Sequence, residues 1–182
     1  IESPWEIPTG ALVPSVTFVF IVEATTKLLH DGGLAQTLIH GQDCKNARRK
    51  ACSVTYERFE HIILVHGVRY QNDLAYADYI RNELPRHEYL GEQISRQLHY
   101  VPVVSREPFA LHGRATELLA NGAIPASIGL PPLNPETDRA MICGSPQMLA
   151  DFRSILDSRG FIASSKIGQA GHYVFERAFV EK

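Results

Sequence analysis

The 182 residues are 45% hydrophobic and 21% charged, and Lys plus Arg (18) nearly balances Asp plus Glu (20) for a formal net charge of −2. This length corresponds to about one globular domain, and the apolar content supports a core and excludes disorder throughout. The charge balance lacks the basic excess of a general nucleic-acid binder.

In chain order, Thr17–Val22 (TFVFIV) is β-branched and aromatic and predicts a buried strand. Even with Val16 it is far short of the ~20 apolar residues that span a bilayer. The residues before it hold neither a basic n-region nor a cleavage site, so no membrane partner or secretory segment is expected. Glu23–Asp31 is polar and aperiodic, and Gly32–Ile39 suits a turn into a short helix. Asp43–Lys50 (DCKNARRK) packs four basic residues into eight positions. With no aromatic interleaved it offers no platform for base stacking, and it reads as a solvated loop.

From Tyr56 onward the pattern is regular. His61–His66 (HIILVH), bounded by Gly67, predicts a strand buried on both faces. Asp73 stands where it can cap a helix whose apolar positions Leu74, Ala77, Ile80 and Leu84 recur at helical spacing. A second helical stretch, roughly Tyr89–Gln97, leads into a strand over Leu98–Ser105. Thr116–Asn121 predicts a short helix closed by Gly122 at C′. Ala140–Cys143 is a short apolar strand. Ser145 as N-cap and Pro146 at the first helical position start a helix to about Ser158, and Gly160 ends it. Phe161–Ser164 and His172–Glu176 are predicted late strands. Strands alternating with helices in this way predict an α/β fold, a doubly wound, mostly parallel sheet flanked by helices. Ligands of such sheets bind beyond the carboxyl ends of the strands.

Three polar clusters fall at those ends: His66-Gly67-Val68-Arg69, Ser105-Arg106-Glu107 and Cys143-Gly144-Ser145-Pro146. Arg106 follows a strand directly, Arg114 precedes a helix eight residues later, and Arg69 ends another strand. Guanidinium groups present paired donors that match phosphate oxygens. The same arginines also suit surface ion pairs with Glu107 and Glu117. From residue 61 on there are ten arginines but only two lysines, Lys166 and Lys182, which fits phosphate recognition. Cys143, at a strand end ahead of a helix N-terminus, is either a thiol whose pKa the helix dipole lowers or a small buried apolar residue. With Cys44 and Cys52 it makes an odd total of three, which suits a reducing, cytoplasmic setting, and no Cys or His spacing forms a zinc site. The eight histidines carry no metal-ligand motif and are expected mostly at surface or capping positions.

The same clusters resemble the C-terminal nucleotide-binding domain of bacterial ferredoxin (flavodoxin)–NADP reductases. The resemblance runs through Tyr56–Tyr79 (YERFEHIILVHGVRYQNDLAYADY), Val103–Leu119 (VVSREPFALHGRATELL), Ile128–Leu130, Asn134–Thr137, Met141–Met148 (MICGSPQM) and the terminus Tyr173–Lys182 (YVFERAFVEK). It implies that Ser105, Arg106 and Arg114 hold the 2′-phosphate of NADP(H), with Arg69 a further nucleotide contact. It implies Cys143 beside the nicotinamide C4, Gly144 and Pro146 in the adjoining turn, and Glu176 in proton delivery near the flavin. Ala178 would lie against the isoalloxazine ring of FAD, and Phe179, Val180, Glu181 and Lys182 would complete the flavin contacts. Hydride transfer between NADPH and FAD, followed by single electrons to ferredoxin or flavodoxin, is the implied reaction. The alternative is an NADP(H)-binding module, or an inactive reductase fragment, that holds no flavin. Two departures stand out. Only Pro8–Val13 (PTGALV) resembles the end of the flavin-binding barrel, so residues 1–15 are expected to be its remnant and 16–182 the NADP-binding domain. Within that domain 16–55 is atypical and 56–182 regular. Where the family reads S-T-G-T-G-L-A-P after its first strand, this chain has Asp31-Gly32-Gly33-Leu34-Ala35-Gln36.

Overall fold

Short runs of Val, Ile, Leu and Phe free of charged residues favour strands that bury both faces, the usual state of a parallel sheet. The computed structural model describes residues 17–23, 59–164 and 171–177. Five strands form one sheet: β1 (Thr17–Glu23), β2 (His61–Val68), β3 (Leu98–Val104), β4 (Arg139–Gly144) and β5 (Tyr173–Arg177). Their order is β3-β2-β1-β4-β5, and every neighbouring pair is parallel. The expected doubly wound α/β fold is therefore present. Its winding reverses between β1 and β4, which is where such sheets open a ligand crevice.

Alternation along the strands sends Val19, Ile21, Ile63, Val65, Val101, Val103 and Ile142 to one face. There they pack on Leu119 of α2 (Ala115–Ala120), Ile124 of α3 (Ala123–Ser127) and Leu149, Phe152 and Leu156 of α4 (Pro146–Ser158). The buried positions of α4 recur at three and four residues, so one stripe of the helix meets the sheet. Ser145, with extended backbone, and Pro146 start α4 as expected. Gly122 (φ +79°) and Gly160 (φ +83°) supply the left-handed residues that end α2 and α4. Full burial of a side chain such as Phe152 contributes about 1.5–3 kcal/mol.

The connection from β2 to β3 covers the opposite face near β3, where the Arg81 guanidinium lies 5.2 Å from the centre of the Tyr100 ring. It differs from the predicted helix. Asp73 ends a 3₁₀ turn (Gln71–Asp73), and its carboxylate accepts the Tyr70 N–H at 3.0 Å. Tyr76 then takes a positive φ of 62°, which no right-handed helix accommodates. Helical bonding resumes at Ala77 and Asp78, widens to a π turn over Tyr79–Glu83, and Pro85 (lacking an N–H) falls in a 3₁₀ turn over Leu84–Arg86. Ile80 and Leu84 are buried all the same, so the apolar spacing marks the right face while the hydrogen bonding departs from it. The following helix α1 (Gly91–Gln97) begins two residues later than expected. Phe161–Ser164 is not a strand; Ala163 makes a single bridge to Tyr173.

Phe152 is fully buried between α4 and the sheet. Phe152→Ala is expected to lower unfolding free energy by about 3–5 kcal/mol. The exposed neighbouring change Ser154→Ala should stay within about 0.5 kcal/mol. Urea unfolding of both variants checks this, and a Phe152→Ala loss below about 1 kcal/mol would contradict the assigned packing.

Candidate functional site

The β2–β3 ladder continues past both strands. Ser105 N–H donates to the Val68 carbonyl at 3.1 Å and Arg106 N–H to the Arg69 carbonyl at 2.9 Å, while Ser105 Oγ donates to Val68 at 3.2 Å. The chain then loops out and returns to β3. Val104 N–H donates to Leu111 C=O at 3.1 Å, and Gly113 N–H donates to Val104 C=O at 3.0 Å. Gly113 has φ +136°, a conformation side-chain-bearing residues rarely adopt, and it turns the backbone into Arg114, the N-cap residue of α2. The result is a cleft of about 250 Å³ lined by Ser105, Arg106, His112, Gly113, Arg114 and Glu117. Three of the expected phosphate-binding residues thus meet in one place, nine positions apart in sequence. Arg69 stands exposed beside Arg106 on the ladder but outside the cleft lining. Glu107, considered above as an ion-pair partner, instead accepts the backbone N–H of Gln71.

A second group lies on one rung of the sheet. The register places Pro102, His66, Val22, Cys143 and Glu176 side by side on β3, β2, β1, β4 and β5. Cys143 is fully buried, and Glu176 is its register partner near the end of the last described strand. Gly144 closes β4 and is buried, and Pro146 opens α4 and is exposed. Ala178, Phe179, Val180, Glu181 and Lys182 lie outside the described residues, as do the Asp31–Gln36 turn, Asp43–Lys50 and residues 1–15.

His66 departs from the expectation for the histidines. It is 2% exposed, with Nδ1 2.9 Å from the Tyr100 hydroxyl and Nε2 without a hydrogen-bond partner among the described residues. Burial lowers its pKa to about 4, so the imidazole is neutral. Burial likewise raises Tyr100 to about 12, partly opposed by Arg81. Among the described residues no group of three or more His, Cys, Asp or Glu could hold a metal ion, and no helix is long and apolar enough to cross a membrane.

Residues 42–154 match the family described as the oxidoreductase NAD-binding domain. This chain belongs to that family. It is 56% identical over 128 residues to the ferredoxin–NADP reductase of Pseudomonas aeruginosa, covering 70% of this chain and 50% of that protein. It is 51% identical over 127 residues to the Azotobacter vinelandii ferredoxin–NADP reductase, covering 70% and 49%. The chain thus spans about half the length of the curated relatives it matches. In fold it is similar to a ferredoxin–NADP⁺ reductase from Neisseria gonorrhoeae solved with bound FAD and NADP. The TM-score is 0.61 at 24% identity, over 94% of this chain and 61% of that one. The resemblance read from Tyr56–Tyr79, Val103–Leu119 and Met141–Met148 is thereby shown at the level of the family.

The depressed His66 pKa sets the sign of a stability effect. In the unfolded chain a histidine takes up its proton near pH 6.5, whereas folded His66 resists until about pH 4. Between those values the unfolded state binds more protons, so stability is lost as pH falls through this window, by up to about 3 kcal/mol. Urea unfolding at pH 7.5, 6 and 5 is expected to show the loss, and His66→Gln to flatten it. Equal slopes for the two proteins would contradict a neutral buried His66.

Proposed function

We propose that this chain binds NADP(H) and orients it for electron exchange with FAD and a ferredoxin or flavodoxin, the reaction of a ferredoxin–NADP reductase. The observation that carries this reading is a pair of sites on the carboxyl edge of one parallel sheet. The cationic cleft stands at β3, and the Cys143–Glu176 rung stands at β4 and β5. From β3 to β4 there are three strand spacings, about 14 Å at about 4.8 Å each. That distance suits an extended dinucleotide with its 2′-phosphorylated adenosine at one end and nicotinamide at the other.

The cleft fits a phosphate by its donors. Arg106 and Arg114 offer paired N–H groups, and Ser105 a hydroxyl that reaches the phosphate by exchanging its hydrogen bond to the Val68 carbonyl. Ser105 and Arg106 are tied to β2 by backbone hydrogen bonds, and Gly113 sets the approach of Arg114, so their positions are largely prepaid. At the other end Cys143 is assigned to the nicotinamide C4, Gly144 to close approach of the ring, and Glu176 to delivery of a proton. Arg69 is assigned a flanking nucleotide contact. When bound, NADPH and FAD supply the hydride and electron chemistry, and the protein supplies orientation and electrostatics.

Titration of the purified chain with adenosine 2′,5′-bisphosphate tests the reading. Arg106→Ala and Arg114→Ala are each expected to weaken binding by about tenfold to a hundredfold, the worth of a charge-assisted contact. Unchanged affinity in both variants would overturn it. The flavin share is read from absorption: FAD retained by the chain and bleached by NADPH supports the reductase. A protein that stays colourless after FAD is supplied leaves an NADP(H)-binding module.

A further inference from the structure

Resting on the reading that this cleft takes a 2′-phosphate, we infer that His112 is a third cationic ligand of that phosphate, and that it makes binding of 2′-phosphorylated adenine nucleotides pH-dependent in the neutral range. His112 is exposed and lines the cleft with Ser105, Arg106 and Arg114. Its place on the wall is set by backbone alone, through its bridge to Val104 and the flanking hydrogen bonds of Leu111 and Gly113. The imidazole takes no part in that clamp and has no hydrogen-bond partner among the described residues, so it is available to a ligand.

Charge arithmetic gives it a task. The charged and titratable groups of the lining are Arg106, Arg114, Glu117 and His112. Two guanidinium groups less one carboxylate leave a single net positive charge. A phosphate monoester brings about −1.5 to −2 at pH 7. A protonated His112, which the cleft geometry places against the phosphate, closes the difference. Binding of the phosphate therefore favours proton uptake on His112, and affinity falls as pH rises through the neutral range. The phosphate's own second ionisation, near pH 6, acts with the opposite sign, since it increases the ligand's charge as pH rises. The two effects can be told apart by the direction of the profile.

Calorimetric titration with 2′-AMP, from pH 6 to pH 8.5, tests this on the full chain and on His112→Gln, which keeps a polar side chain but cannot be charged. Wild type is expected to lose about fivefold to tenfold in affinity across the range and to take up protons on binding. His112→Gln is expected to bind with a flat or rising profile and no proton uptake. Parallel profiles in the two proteins, including equal weakening at every pH, would overturn the role of His112. Failure of wild type to bind 2′-AMP at any pH, or full affinity in both Arg106→Ala and Arg114→Ala, would overturn the cleft reading itself.

Discussion

The carbonyls of Val68 and Arg69 accept the N–H groups of Ser105 and Arg106, and on this short extension of the β2–β3 ladder the candidate site depends. A parallel ladder fixes register because each strand is buried and a slip of one residue would invert its faces. Here Val101 and Val103 belong to the core face, so β3 cannot slide without exposing them. Register held by the core is transmitted to the first residues beyond the strand. Ser105 and Arg106 inherit it directly. Arg114 inherits it through the return of the loop to Val104, with Gly113 making the turn that closes the cleft.

The same register organises the other end of the sheet. One rung carries His66, Cys143 and Glu176 across β2, β4 and β5, a juxtaposition of residues separated by as many as 110 positions (66 to 176). The two ends differ in electrostatic character. The cleft at β3 is open and cationic, suited to a strongly hydrated anion. The rung holds a buried thiol and a neutral imidazole, an environment suited to the uncharged part of a ligand. A dinucleotide with a phosphorylated adenosine end and an aromatic reacting end has that polarity.

Much of the frame was legible in the sequence because it depends on local chemistry. The uninterrupted runs TFVFIV, HIILVH and AMIC mark strands, Ser145-Pro146 marks a helix start, and Gly122 and Gly160 mark helix ends. The segment after Asp73 was less so. Its apolar spacing identifies the buried positions Ile80 and Leu84, but the left-handed Tyr76 and the proline at 85 decide the hydrogen bonding. The arginines of the cleft were visible through their positions, Arg106 just after a strand and Arg114 directly before a helix. The burial of His66 inside β2, which runs on to Val68, and the place of His112 in the cleft were not. A histidine inside a strand run reads alike whether it faces core or cap, and only pairing with Tyr100 distinguishes it. His112 enters the cleft through a non-local bridge to Val104, which no periodicity announces.

On the proposed function, the edge of β3 selects a nucleotide by its 2′-phosphate. Comparing the affinities of the chain for NADPH and NADH in one buffer tests it most directly, since the two ligands differ only in that group. Two guanidinium contacts worth about 1.5–3 kcal/mol each predict that NADPH binds at least about a hundredfold more tightly. Equal affinities for the two nucleotides would contradict the account.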